Sequence, residues 1–423
     1  MNYNKPEELK KPEVFSDSIY GYIYINYLFL KKLIDTSPMQ RLRRIKQLSF
    51  VHMIFGCAEQ SRFNHSLGVY ELARRFLEIN NNILINIFDH RTKMLLLTSA
   101  LLHDIGHGSY SHTFEIIFKT NHEKQSAKII LEHKEINNIL NKIDLNFKND
   151  VASIINKEGK FKLIEQLLSS QLDFDRLDYL RRDAFFTGVS YGYIDSDLLI
   201  RSMEIDKKNN NIVFKKSSIT SIENYLINRY HMYCRVYYHT KVIGFSVILE
   251  QIFKRIDFLF KNKYKFQCSD VISILEKFIN KPDDIYNYLN IDDFYMHVLI
   301  FYLKTEKDNI LINLCNDFLN RNIWSYLDIN KENQQKIQEI KNHYKIDEVN
   351  YYTYDDKKIT SIIYKENKNN IGDNILIYKD FKQQNTTTLS KESPIINLLS
   401  RRLQDKNLQK TDSKFFYRKY KNE

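Results

Sequence analysis

Six of the chain's 12 histidines fall between residues 65 and 122, among them His65, His103, His107, His112 and His122, and His103 is followed directly by Asp104. Neutral imidazoles and carboxylates together make a mixed nitrogen and oxygen donor set for a divalent cation, whose open positions can take water and phosphate oxygens. A His-Asp pair alone is a weak signal, because short motifs arise by chance. The run LLTSALLHDIGHGSYSHTFE is far more specific: an apolar helix ends in His-Asp, and a glycine-bearing turn then presents His107 and His112. A purely structural helix does not normally carry that polar load at its buried end. Because His103 and Asp104 are adjacent, other elements must complete a cation's shell. His65, opening a helix in SRFNHSLG, and Asp175, on a later helix in DFDRLDYLRRD, are the candidates. Each taken alone reads first as a helix cap or a solvated helix residue; taken with the His-Asp run, they read as one site.

The elements that must position these groups are mostly helices. A polar N-terminal tail leads into YGYIYINYLFL, whose alternation suits a short strand or turn entering a helix. Thr36 to Leu48 reads as a helix with Pro near its start and Met39, Leu42, Ile45 and Leu48 on one face, opposite Gln40, Arg41, Arg43, Arg44 and Gln47. Further helices are expected over His65 to Leu77, Lys93 to Leu102, Glu123 to Leu131, Gln166 to Arg182, and Ser221 to about Phe260. The Asn run in MEIDKKNNNIVF breaks the helical period and predicts a β-hairpin insertion near 203–216. The expected organisation is a tail with a short strand over 1–30, a helical core over 31–345 and a small α+β subdomain over 346–423.

Composition bounds the class. A chain of 423 residues with 43% hydrophobic and 13% aromatic content is not mainly disordered, and 10 Gly with 5 Pro argue against a turn-dense all-β fold. A mainly α protein of enzyme size is the expectation. The formal net charge of +11 suits a nucleic acid, a phosphorylated ligand or an anionic membrane, but the excess is dispersed through a chain rich in Lys, Asn, Ile and Tyr and reads equally as compositional. Cys57, Cys234, Cys268 and Cys315 lack CxxC spacing, so neither a zinc ribbon nor a disulfide framework is indicated. With charges in MNYNKPEELKKPE where a signal peptide needs an apolar stretch, and no early run long enough to span a bilayer, the expectation is a soluble cytoplasmic protein.

Taken together, RFNHSLG, HDIGHGSYSH, DFDRLDYLRRDAFFTG and NRYHMYCRVYYHTK resemble the HD-domain phosphohydrolases, in the deoxynucleoside triphosphate triphosphohydrolase-like branch. VFSDSIYGYI and QRLRRIKQL match as well, so the resemblance spans roughly residues 12 to 245. It implies an HD-domain helical bundle with His65, His103, Asp104 and Asp175 as metal ligands. It places His107, His112 and His122 in the catalytic pocket. The implied reaction is attack of metal-activated water on the α-phosphorus of a deoxynucleoside triphosphate, releasing deoxynucleoside and tripolyphosphate. His112 is then the general acid, with Glu115, where relatives often carry Asp, holding its proton. Arg62, Arg176 and Arg229 match triphosphate-binding positions. Gln47 and Asp183 match groups on the sugar 3′-hydroxyl, and Tyr179 and Tyr237 match rings packed on the deoxyribose; Leu48 and His239 complete the substrate-binding set. Without the resemblance, the spacing of Arg229, Tyr233 and Tyr237 also fits a tyrosine-rich core helix. Asp35, Gln40 and Arg43 match positions that bind an activating guanine nucleotide at a subunit interface, which implies a dimer or tetramer. Glu13 departs from the basic residue expected there, and helix capping by Asp35 with a solvated Arg43 is the plainer alternative.

A His2Asp2 set accepts iron, manganese, zinc, cobalt or nickel, with magnesium assisting at the phosphates. Two other functions compete. One is an HD phosphohydrolase acting on another nucleotide or phosphoester; the other is an HD protein that binds nucleotide or nucleic acid without turnover.

Overall fold

The computed structural model describes residues 3–356, 364, 366–367, 374–380, 385–404 and 413–419. The architecture is mainly α, with three small sheets. β1 (Glu8–Asp17) and β2 (Gly21–Tyr27) form an antiparallel hairpin that feeds α1 (Leu28–Ile34) and α2 (Ser37–Arg41). The helices around the site are α3 (Arg62–Ile79), α4 (His90–Leu102), α5 (His112–Phe118), α6 (His122–Glu132), α7 (Phe147–Ile155) and α8 (Phe174–Thr187). α4 is buried along its whole length from Met94 to Leu102, as expected of a helix apolar on every side. It packs against α3, and α3 in turn packs against α8. Local chemistry starts these helices: the Asp89, Asn121 and Asp173 side chains accept from the backbone N–H of Thr92, Lys124 and Arg176. Each such cap contributes about 1 kcal/mol.

β3 (Met203–Asp206) and β4 (Asn211–Phe214) form a hairpin. α9 (Ile219–Met232), a π-helical turn (Tyr233–Tyr237), α10 (Thr240–Lys261), α11 (Asp293–Leu303) and α12 (Asn309–Leu319) follow. β5 (Ser325–Asp328), β6 (Thr353–Asp356) and β9 (Lys414–Tyr417) make a three-stranded sheet in the order β5-β9-β6. β7 (Leu376–Asp380) and β8 (Asn385–Thr388) extend the β3-β4 hairpin, with β4 and β7 parallel. The hairpin expected as an insertion thus shares a sheet with β7 and β8 of the expected C-terminal subdomain, while β6 and β9 pair with β5, which lies before residue 346.

Three helices differ from their sequence expectation. The helix expected over Thr36 to Leu48 is α2 plus a 3-10 turn ending at Arg44; Ile45 is extended and Lys46 bridges to Ser61. Met39, Leu42, Ile45 and Leu48 are still all buried, so burial and not helical continuity set the apolar spacing. The helix expected over Gln166 to Arg182 divides at Ser169, because Asp173 starts α8 afresh. The long helix expected from Ser221 is interrupted by the π turn and by extended His239. π turns of this kind often mark functional sites.

Candidate active site

Three helices bring four donors together, with Asp104 at the edge of a His65, His103 and Asp175 trio and shared with a second trio that includes His107 and His122. His65 lies in the first turn of α3, His103 and Asp104 follow the end of α4, and Asp175 lies in the first turn of α8. The Nε2 atoms of His65 and His103 face each other at 3.2 Å. Asp175 Oδ1 is 3.1 Å from His65 Nε2 and 3.8 Å from His103 Nε2, and Asp104 Oδ2 is 3.6 Å from His65 Nε2. Both rings are locked from behind. His65 Nδ1 donates to Asp178 Oδ2 at 2.7 Å, and His103 Nδ1 donates to the Ala100 carbonyl at 2.9 Å. Both Nε2 lone pairs therefore point at each other and at two carboxylates, an arrangement that fits a divalent cation. Burial disfavours a charged His65, yet Asp175 and Asp178 outweigh it and push its pKa up to about 10. The site demands positive charge, and a proton satisfies the demand where a cation would. Asp175, with 32% of its side chain exposed, and His103, with 13%, form the open side.

A second cluster adjoins the first. His107 Nε2 lies 3.3 Å from Asp104 Oδ1, and its ring stacks on His122 at 4.0 Å between centroids. Burial, reinforced by the Arg62 charge, lowers the His107 pKa well below the usual value, so this ring is neutral. Its Nδ1 is buried without a hydrogen-bond partner among the described residues. Glu115 binds two imidazoles at once, with Oε2 2.8 Å from His112 Nδ1 and Oε1 2.8 Å from His122 Nδ1. Burial raises the Glu115 pKa, but the hydrogen bonds from the two histidines prevail and hold it below the ordinary carboxylate value. For His122 the balance also favours charge: burial lowers its pKa, and Glu115 more than restores it. His112 is mostly exposed, so a polarised imidazole stands at the rim of the cluster.

Arg62 is buried, donating through Nη1 to Asp104 Oδ2 and through Nε to Ser111 Oγ at 2.8 Å. Arg176 pairs with Asp173, and its Nε has no partner among the described residues. Arg229 lies over the Tyr233 ring at 5.7 Å, its Nη1 also buried and unpartnered among the described residues. Tyr179 and Tyr237 approach edge to face at 6.1 Å, and the Tyr179 and Tyr233 hydroxyls lie 3.4 Å apart. Asp183 accepts from the Tyr237 hydroxyl and from Gln60 Nε2, each at 2.8 Å; burial pushes its pKa up to about 7. Gln47 and Leu48 are buried, and Gln47 Oε1 has no partner among the described residues. His239 packs on Phe55 at 6.1 Å, with Nδ1 unpartnered among the described residues.

The N-terminal trio stands apart from these clusters. Asp35 is exposed and ends α1 as its C-cap residue, so it does not start a helix. Lys31 lies between Glu13 and Asp35, at 3.8 and 3.9 Å. Gln40 accepts from Arg43 Nε at 2.9 Å, and Arg43 stacks over Phe63 at 3.6 Å.

Sequence reasoning missed the groups behind the donors. Asp178 and Arg182, both fully buried, form a two-pronged ion pair with both distances 2.9 Å, and Arg182 continues to Asp17 at 2.7 Å. Gly68 is required where α3 crosses α8: a Cβ there would lie 1.8 Å from Asp178 Oδ1. The spacing of Asp175, Asp178 and Arg182 along one helix was the available signal.

Residues 62–183 match the HD domain, and residues 194–276 match the HD associated region. The chain is 39% identical over 334 residues to the uncharacterized protein YwfO of Bacillus subtilis, covering 76% of this chain and 73% of that protein. It is 26% identical over 342 residues to the deoxynucleoside triphosphate triphosphohydrolase SAMHD1 homolog of Dictyostelium discoideum, covering 75% of this chain and 60% of that one. The crystal structure of a phosphohydrolase from Bacteroides thetaiotaomicron shares the fold with a TM-score of 0.80 at 26% identity, over 96% of this chain and 100% of that one. All four proposed donors fall inside the matched HD segment, and the fold of a solved phosphohydrolase extends the likeness to nearly the full chain. The chain belongs to the HD-domain phosphohydrolase superfamily.

Proposed function

We propose that this chain hydrolyses deoxynucleoside triphosphates to deoxynucleoside and tripolyphosphate. The observation that carries the reading is the pair of facing imidazole Nε2 atoms, 3.2 Å apart and each locked through Nδ1, beside the Glu115-bridged histidines. His65, His103, Asp104 and Asp175 would hold a divalent cation: iron, manganese, zinc, cobalt or nickel, with magnesium assisting at the phosphates. Such a cation supplies activated water, lowering its pKa from about 15.7 toward 7, and offsets phosphate charge. The remaining work belongs to the chain. Glu115 accepts from His112 Nδ1 and orients the ring, so that His112 would act through Nε2 as the general acid on the departing 5′-oxygen. His122 shares that carboxylate, and neutral His107 braces Asp104. Arg176 and Arg229 have unmet donors for the polyphosphate, and Arg62 brings its charge beside Asp104. Tyr179, Tyr237 and Leu48 would close around the deoxyribose, with Gln47, Asp183 and His239 as the polar groups of that wall.

A second reading, hydrolysis of another nucleotide or phosphoester, is favoured by one observation: both Asp183 oxygens already accept, from Tyr237 and Gln60, so a sugar hydroxyl must displace one of them. A panel of the four dNTPs, ATP and bis(p-nitrophenyl) phosphate, assayed for tripolyphosphate with metal analysis, decides. Tripolyphosphate from dNTPs, with ATP disfavoured, supports the first reading. Equal kcat/KM for ATP and dATP overturns the sugar pocket. Metal-loaded protein inert on every substrate leaves binding without turnover.

Asp35, Gln40 and Arg43 belong to this proposal as a guanine nucleotide site that would stabilise a dimer or tetramer by binding the assembled form preferentially. The Gln40–Arg43 pair supports it, and Lys31 supplies a cation beside Glu13.

A further inference from the structure

The turn that delivers His112 is strained, and a carboxylate outside both matched family segments grips it. Tyr110 has a φ of 54°, and Ser111 a φ of 54° with a ψ of −118°, yet neither is glycine. Such conformations persist only where the surroundings over-determine them, and they cluster at functional sites. Here the surroundings are specific. Asp293, the first residue of α11, is buried at 4% exposure. Its Oδ1 accepts from the Ser109 hydroxyl at 2.9 Å and from the Tyr110 N–H at 2.8 Å, and its Oδ2 accepts from the Lys46 N–H at 2.8 Å. Arg41 works from the other end of the same loop: Nη1 donates to the His107 carbonyl at 2.8 Å and Nη2 to the Ile291 carbonyl at 2.6 Å.

α11 does not need Asp293 as a cap. Asp292 already fills that role, accepting from the Tyr295 N–H at 2.9 Å and pairing with Arg44. A buried carboxylate that spends its acceptors on a strained loop 183 residues away is fastening that loop.

We propose that Asp293 is a positioning residue for the reaction: it holds the Tyr110–Ser111 turn in the conformation that aims His112, while Arg41 fixes His107. The link to turnover rests on the reading of His112 as the general acid, so the test has one arm that does not depend on substrate.

In that arm, hydrogen exchange by mass spectrometry is compared across wild type, Asp293→Ala and Asp293→Asn, each loaded with metal. Asn keeps an oxygen for Ser109 and Tyr110 and loses only the acceptor for Lys46. The expected result is exchange on the order of 10-fold faster over residues 107–114 in Asp293→Ala, near-wild-type exchange there in Asp293→Asn, and unchanged metal content in both. An unchanged loop, or an equal acceleration across the whole chain, overturns the proposal. In the activity arm, kcat falls on the order of 10- to 100-fold in Asp293→Ala with KM held, and Asn recovers most of it. A raised KM with normal kcat also overturns it. Should wild type hydrolyse no dNTP, the functional reading fails while the exchange arm still judges Asp293. Should Asp293→Ala not fold, Ser109→Ala removes one of the three bonds and carries the same exchange test: a locally loosened loop supports the proposal, an unchanged one overturns it.

Discussion

Replacing Asp178 with asparagine separates the orientation of a proposed metal ligand, His65, from the ligand itself. Asp178 Oδ2 holds the Nδ1 proton of His65 at 2.7 Å and receives Arg182 Nε at 2.9 Å, while Oδ1 receives Arg182 Nη2 at 2.9 Å. Burial raises the Asp178 pKa, but Arg182 and His65 overcome this and hold it at about 2, so the group is a carboxylate at any working pH. In Asp178→Asn the amide cannot serve both partners: with its oxygen toward His65 the NH2 meets Arg182 Nη2, donor against donor, and with its oxygen toward Arg182 Nη2 the NH2 faces the His65 Nδ1 proton and the bond behind the ring is lost. Losing a partner of this kind behind a ligand typically costs 10- to 100-fold in metal affinity, about 1.4–2.7 kcal/mol. Disturbing a buried pair costs about 3–5 kcal/mol when a charge is left alone; Arg182 retains Asp17, so the lower figure of about 3 kcal/mol applies. With an unfolding entropy of about 2.1 cal/mol/K per residue, 423 residues give roughly 0.9 kcal/mol/K, and the expected fall in Tm is about 3 °C. Metal affinity is read by competition with a chromophoric chelator on metal-stripped protein, and Tm by calorimetry on the same sample. Gly68→Ala should behave alike, since its Cβ would lie 1.8 Å from Asp178 Oδ1. An affinity within threefold of wild type in both variants would refute the argument that Asp178 orients His65.

Asp104→Ala or His103→Ala should remove bound metal and turnover from a folded protein; full activity in metal-depleted Asp104→Ala would falsify the ligand assignment. His112→Ala should keep metal and substrate binding while kcat drops on the order of 10² to 10⁴, and a normal kcat with a raised KM would make His112 a binding group. Asp183, raised by burial from 3.8 to about 7, holds a proton in the folded state that the unfolded chain releases. Its contribution therefore favours folding at low pH and is lost as pH rises through about 7, amounting to at most roughly 4 kcal/mol. Asp183→Asn should accordingly flatten the fall in denaturant stability between pH 5 and 8, and an unaltered pH profile would contradict the assignment. If Asp35 reads a guanine nucleotide, dGTP should shift sedimentation toward the assembled form and raise the rate, and Asp35→Ala should abolish both effects with the metal site intact; constant sedimentation and rate leave Asp35 a surface residue paired with Lys31.

The mainly helical class was legible because the cues are local. α4 is a continuous apolar run, and capping side chains mark where it, α6 and α8 begin. The interruptions were less legible, because tertiary contacts decide them. Nothing in QRLRRIKQL ends a helix at Arg44; the chain turns extended there because Lys46 bridges to Ser61 and its N–H is taken by Asp293, 247 residues later. The pairing of β4 with β7 has the same character: a parallel neighbour from the far end of the chain leaves no trace in the local pattern of either strand.

The same division runs through the site. The four proposed donors were readable as a group because a divalent cation would select these residue types, and His-Asp at the buried end of an apolar helix has few structural uses. Their supports were not, since Asp178, Gln60, Asp293 and Arg41 are ordinary polar residues whose meaning comes from a partner distant in sequence. Helix α8 contains the one cue that was present and unused. Phe174, Leu177, Leu180 and Ala184 are buried along one face, and so are Asp178 and Arg182, which lie just beside it past Phe174. A helix buried over about half of its circumference cannot leave all its charges in water, so some must be paired internally. An acid three residues beyond a ligand and four before an arginine is where that pairing is geometrically cheapest. Asp178 meets both conditions, turning one face of α8 into a ligand, its neighbour's support and a counter-ion within two turns.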